Sequence, residues 1–161
     1  MISTAFLMGG LGNQMFQIAH SYCQGLKNNV PSVFLPQSFT PMGKAKQPTH
    51  YINNIFRKIN FVSKVDNKKI VKEKSWNNPD LKFTWDSNVE FYGYFQSSNN
   101  FLGFEKEVVD LFSPTEEFIS KLLALNANLD LLSFLKINAR KTYLEKFDLR
   151  ILKSNWPKMY E

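Results

Sequence analysis

The first 27 residues constrain this chain more than any other part of it. Met1–Met8 is mostly apolar. It is the length of a buried strand and far too short for a membrane-crossing helix. Three glycines follow within four residues, Gly9, Gly10 and Gly12. After Asn13 the apolar positions Met15, Ile18/Ala19, Tyr22/Cys23 and Leu26 recur with helical spacing, which puts His20 away from the stripe, in a surface or capping role. A strand, a glycine turn and a capped helix together aim free backbone N–H groups and the positive end of a helix dipole at an anion. Glycines lack Cβ atoms and so let a ligand approach the backbone closely. Asn13 reads as the N-cap, with the helix running from about Gln14.

The spacing excludes two familiar loops. Gly10 and Gly12 fit a dinucleotide fingerprint, but Met15 stands where its third glycine belongs, and no acidic residue precedes Asp66. No Lys-Ser/Thr pair follows the glycines, so this is not a Walker A loop. On spacing alone, a tight structural turn and a phosphate-facing loop explain the glycines equally well.

The order of two longer motifs adds to this. Gly9-Gly-Leu-Gly-Asn-Gln-Met-Phe-Gln17, with Gly93-Tyr-Phe-Gln-Ser97 downstream, resembles the α-1,2-fucosyltransferase family (glycosyltransferase family 11), over about Ile2 to Leu123. The resemblance implies transfer of fucose from GDP-fucose to a galactoside hydroxyl, with inversion and with no cofactor or obligatory metal. It implies a GT-B arrangement, two Rossmann-like domains facing a cleft, of which this chain holds the first. Carried onto this chain, it makes Gly9, Gly10, Gly12, Asn13 and Gln14 donor-binding, and Gln96 and Ser97 cleft-lining. The family's His-x-Arg-Arg-Gly-Asp motif is missing: no histidine follows His50, and the nearest basic pair is Arg140-Lys141, with Asn138 in the histidine's place. The expectation is therefore an amino-terminal half, residues 1–125, with an unassigned helical tail, 126–161, that is truncated or frame-shifted. Such a half is expected to be inactive alone, with a second chain or a missing half completing its site; the alternatives are a non-catalytic glycan- or nucleotide-binding remnant of the family and a basic nucleic-acid-binding domain. No residue emerges as general base; Asp66, Asp80, Asp86 and Glu90 are equal candidates.

The remainder reads as α/β, with a mostly parallel sheet and flanking helices. Strands are expected at Thr4–Met8, Val33–Leu35, Phe83–Trp85 and Val89–Phe95, and an exposed one along the alternating Lys68–Lys74. Further helices are expected after Thr49, from Ser98, and from a capping box in which Ser113 caps, Pro114 opens and Glu116 closes the first turn. That last helix should bury Phe118, Leu122 and Leu125. Gly93, inside a strand, marks a bulge or a close backbone approach. His50 reads as a surface or capping residue.

The net charge of +6 is concentrated. Lys44–Lys74 holds nine basic residues against Asp66 and Glu73, leaving the rest slightly acidic. Such a block can steer anions, nucleic acid included, yet alternating lysines also suit a solvated strand edge, and no nucleic-acid partner is expected. The partners expected are a nucleotide-sugar donor and a glycan acceptor. The lone Cys23 lies in the helical stripe and reads as core, which with no basic leader or transmembrane segment points to a reducing, cytoplasmic setting, membrane association left open.

Overall fold

The computed structural model describes residues 1–39, 45–74, 81 and 83–146, with 142–146 by backbone alone. The chain divides into two compact units, Met1–Ser113 and Pro114–Glu161.

The first unit is a mixed α/β layer. Its sheet holds β1 (Ser3–Ala5), β2 (Lys68–Lys72) and β3 (Asn88–Tyr92) in the order β1-β3-β2, every pairing parallel. Ser3, Thr4 and Ala5 pair with Val89, Glu90 and Phe91, and Ile70 lies on the other side of Glu90. Alternation decides the faces. Ala5, Val71, Val89 and Phe91 turn towards α1 (Leu11–Lys27) and join one core with Ile18, Ala19, Phe34, Phe56 and Phe95. Each fully buried Phe or Ile side chain there contributes roughly 1.5–3 kcal/mol. Glu90 faces the opposite side, buried and paired with Lys68 at 2.5 Å.

Several expected elements are shorter or displaced. Val33–Leu35 forms no regular strand. Val33 N donates to Ser3 O while Phe34 N donates to Asn60 O, so the segment serves two neighbours by isolated bridges and builds a ladder with neither. The expected strand at Phe83–Trp85 is absent, because those rings pack on Phe91 rather than pairing by backbone. β3 stops at Tyr92, three residues early, where Gly93 approaches Glu73. In place of the helix expected after Thr49 there is a 3₁₀ turn, Pro48–Tyr51, entered from Gln47 without a side-chain cap; His50 is exposed on it. From Ser98 the chain makes a 3₁₀ turn to Phe101, breaks at Gly103 (φ +82°), and only then forms α2 (Glu105–Leu111). Cys23 is in the core as expected, and burial pushes its thiol up to about 11.

The second unit carries α3 (Glu116–Ala127) and α4 (Leu129–Lys146). Its cap is Thr115, not Ser113: the Thr115 hydroxyl accepts from Phe118 N at 3.2 Å. The expected inward stripe fails too, since Phe118 and Leu122 are about half exposed and α3 buries no residue. Among the described residues no single helix is long and apolar enough to cross a membrane; α3 with the first part of α4 passes such a test only as a pair bent by 96°.

Candidate functional site

The site is built at the carboxyl ends of β1 and β3, where open parallel sheets present their loops. After β1 the chain passes Met8, whose N–H and C=O are both held by the Gln17 side chain, at 2.9 and 3.3 Å. Gly9 then takes φ +76°, and a Cβ there would lie 2.4 Å from Asn13 Nδ2. Only glycine fits that position. Its N–H donates to Phe39 O, and its carbonyl accepts from Gln14 Nε2 at 2.9 Å.

The turn delivers α1 three residues earlier than the sequence suggested. Gly10 is the N-cap and Leu11 the first helical residue, so Asn13 stands within the first turn and caps nothing. With Gly10 at the cap there is no side-chain oxygen to occupy the helix end. The first helical bond runs from Gln14 N to Gly10 O, which leaves the N–H groups of Leu11, Gly12 and Asn13 without an intrahelical acceptor. No acidic residue lies in that turn, and Gly10 and Gly12 face open space where a Cβ would sit. The end of α1 is thus an uncapped, positively polarised, sterically open surface.

Asn13 instead reaches across the site. Its Oδ1 accepts a hydrogen bond from Gln96 Nε2 at 2.8 Å, spanning 83 positions of sequence. Both motifs meet there. Ser97 stands one residue further on as the cap of the following turn, accepting from Asn99 N at 3.4 Å. Gln14 turns inward: it is fully buried, its amide nitrogen donates to Gly9 O and Lys46 O, and its Oε1 has no partner. It braces the turn from beneath.

The loop that carries Gln96 is held by residues that belong to no site motif or are expected, from sequence, in other roles. Phe95 has φ +53°, a left-handed conformation uncommon for an aromatic residue. Its ring is buried face to face on His20, centroids 4.0 Å apart, and Asn100 Nδ2 donates to its carbonyl at 3.0 Å. The Glu73 carboxylate accepts from Tyr94 N at 2.8 Å and from Phe95 N at 3.1 Å. His20, expected at the surface, is fully buried between Phe91 and Phe95. Burial pushes its pKa down to about 3; Asn100 acts weakly against the shift, and neither ring nitrogen makes a well-formed hydrogen bond. The ring is therefore neutral, an aromatic spacer rather than an acid or base.

The carboxylates considered as general bases lie elsewhere. Asp66 and Asp86 sit before β2 and β3, at the amino ends of strands whose carboxyl ends carry the site. Thr84, and then Lys69, hold Asp86 below the usual carboxylate range. Glu90 is tied to Lys68 in mid-strand, and Asp80 falls outside the described residues. In the basic block Lys58, Lys64, Lys68 and Lys69 each pair with an acid, which offsets much of its charge locally. Among the described residues no cluster of His, Cys, Asp or Glu could hold a metal ion.

In comparisons with known proteins, no family model, no curated protein and no solved structure matches this chain.

Proposed function

We infer that this chain is the amino-terminal half of a sugar-transferring enzyme, with a glycine loop that meets the donor's diphosphate. Within that class we assign it to the α-1,2-fucosyltransferase type, acting with GDP-fucose and a galactoside acceptor, as the first domain of a GT-B pair. The observation that carries the inference is the Asn13–Gln96 hydrogen bond. It joins the two motifs that resemble that family, at the carboxyl ends of neighbouring parallel strands, beside a helix end with no cap and no acid. Free N–H groups at such an end favour a diphosphate, and in transfer they would stabilise the charge gathering on departing GDP. None of the described carboxylates considered as bases stands at the carboxyl ends, so donor binding, and not turnover, is the activity assigned to this polypeptide alone. A second subunit or domain supplies the rest.

The test is a titration of the full chain with GDP, followed by the amide signals of Leu11, Gly12 and Asn13. Saturable shifts confined to that turn are expected, with no fucose transfer to lactose. Asn13→Asp keeps an acceptor for Gln96 and suits the helix dipole, so its melting temperature should stay within about 4 °C of wild type. It sets a negative charge against the diphosphate, and the affinity should fall at least about tenfold, or 1.4 kcal/mol. Unmoved amides at about 1 mM GDP, a concentration that still detects millimolar affinity, would sink the reading.

A further inference from the structure

We propose that Glu73 is a positioning residue, whose carboxylate fixes the Tyr94–Gln96 loop, left-handed at Phe95, and thereby aims the Gln96 amide at Asn13. The residue lies directly after β2, and its own backbone still pairs with β3, Glu73 N to Tyr92 O at 2.9 Å. That pairing brings its side chain to where β3 ends. Two successive backbone N–H groups, Tyr94 and Phe95, converge on its two oxygens, a charge-assisted arrangement of the stronger kind. Gly93 permits the approach: a Cβ there would lie 2.4 Å from Glu73 Cβ and 2.6 Å from Oε2. The consequence is local and directional. With both N–H groups pulled towards β2, the chain must turn left-handed at Phe95, which sends the ring down onto His20 and the next side chain, Gln96, across to Asn13. The His20 stack and the Asn100 bond hold the same residue from below. A lone acid at the end of a lysine-rich strand thus determines the geometry of a contact made by other residues.

The link to ligand affinity rests on the donor-site reading above, so the test is built to fail separately. Glu73→Gln keeps the size and one acceptor but turns an amide N–H towards the second donor; Glu73→Ala removes both bonds. In either variant, with the fold checked by its unchanged core amide signals, exchange of the Tyr94 and Phe95 amides should quicken at least about tenfold, a loss typical for hydrogen bonds to a charged group. The Gln96 side-chain amide signals should move to those of a solvated glutamine. Unchanged exchange and unchanged Gln96 signals would overturn the proposal, whatever happens with GDP. If wild type binds GDP, a double-mutant cycle with Gln96→Ala reads the mechanism. Each single change should weaken binding roughly tenfold, and the double variant no further, since Glu73 acts through Gln96. Losses that multiply would show Glu73 acting by some route other than Gln96. Absence of GDP binding in wild type would remove the donor-site reading and leave the loop result to decide the role of Glu73.

Discussion

The helices α1 and α3 invert each other. α1 buries the polar Gln14, Gln17, His20 and Ser21 fully beside Ile18, Ala19 and Cys23 of its apolar stripe, and of that stripe exposes only Leu26, at its end. α3 leaves Phe118, Leu122 and Leu123 half exposed or more. Neighbours account for the difference. Beside α1 run polar groups that no ladder satisfies: Met8 N and O are taken by Gln17, and the buried Ser3 hydroxyl donates to the carbonyl of Ser21 in α1 at 2.7 Å. A buried amide or hydroxyl that meets such groups offsets its own desolvation and theirs. Among the described residues of its own unit α3 meets only α4, and helical periodicity without a facing sheet buries nothing. A stripe says that a helix can bury one side. It does not say that a partner covers that side, or which polar groups are buried with it.

The sharpest way to break this comparison is one large truncation in each unit. Phe91→Ala empties the centre of β3 and should cost about 3–5 kcal/mol in the first unit. Leu123→Ala, on the exposed side of α3, should cost no more than about 0.5 kcal/mol. Urea unfolding followed by the amide signals of each unit measures both. Comparable losses would mean that the face of α3 is not free in solution.

Acid should separate the regions next. The folded pKa of His20, about 3, lies below the 6.5 of an ordinary histidine, so at intermediate pH the unfolded chain binds the extra proton. Stability is full above about pH 6.5 and falls as pH drops towards 3, by up to roughly 1.4 kcal/mol per unit. Between pH 6.5 and about 5.5, before carboxylates contribute, the first unit should lose about 1 kcal/mol. His20→Phe keeps a ring between Phe91 and Phe95 and should flatten that slope; an unchanged slope would place its cause elsewhere.

Polar burial itself is tested by Gln17→Ala, which strands the Met8 N–H and C=O together. A loss of about 1–3 kcal/mol is expected from unpaired buried groups. A loss near zero would show that water replaces the amide and that α1 owes little to its polar inner face.

The contrast also explains what could be read from residues alone. The parallel α/β layer was legible because strand, glycine turn and helix have distinct periods, and β3 is rich in aromatic and β-branched residues. The Gly9 turn was legible because glycine is the residue such a backbone needs. That Asn13 reaches Gln96 was not, since the bond joins residues 83 positions apart and depends on the register of β1 against β3. Glu73 and His20 escaped for a related reason. One sits among lysines and the other opposite an apolar stripe, and only the left-handed turn at Phe95 gives them a shared task.

The smallest expected effect concerns where α3 begins. The Ser113, Pro114 and Glu116 spacing suits a capping box, yet the hydroxyl that accepts from the helix belongs to Thr115. Pro114 has no N–H, and the chain remains extended through Thr115 (φ −70°, ψ 154°) before turning helical at Glu116. Ser113 is occupied otherwise, its carbonyl and hydroxyl both accepting from Arg57. Thr115→Ala should therefore cost the first turn of α3 about 1 kcal/mol, and exchange of the Phe118 amide should quicken roughly fivefold. Ser113→Ala should leave that amide as it is, because the hydroxyl it removes faces Arg57 and not the helix. The reverse pattern would restore the capping box and move the start of α3 two residues towards the amino terminus. Equal, small effects of both changes would mean that α3 frays at its first turn and that no cap fixes its start, the outcome that would set it furthest from α1, whose start is fixed by a glycine turn and two side-chain amides without a side-chain cap.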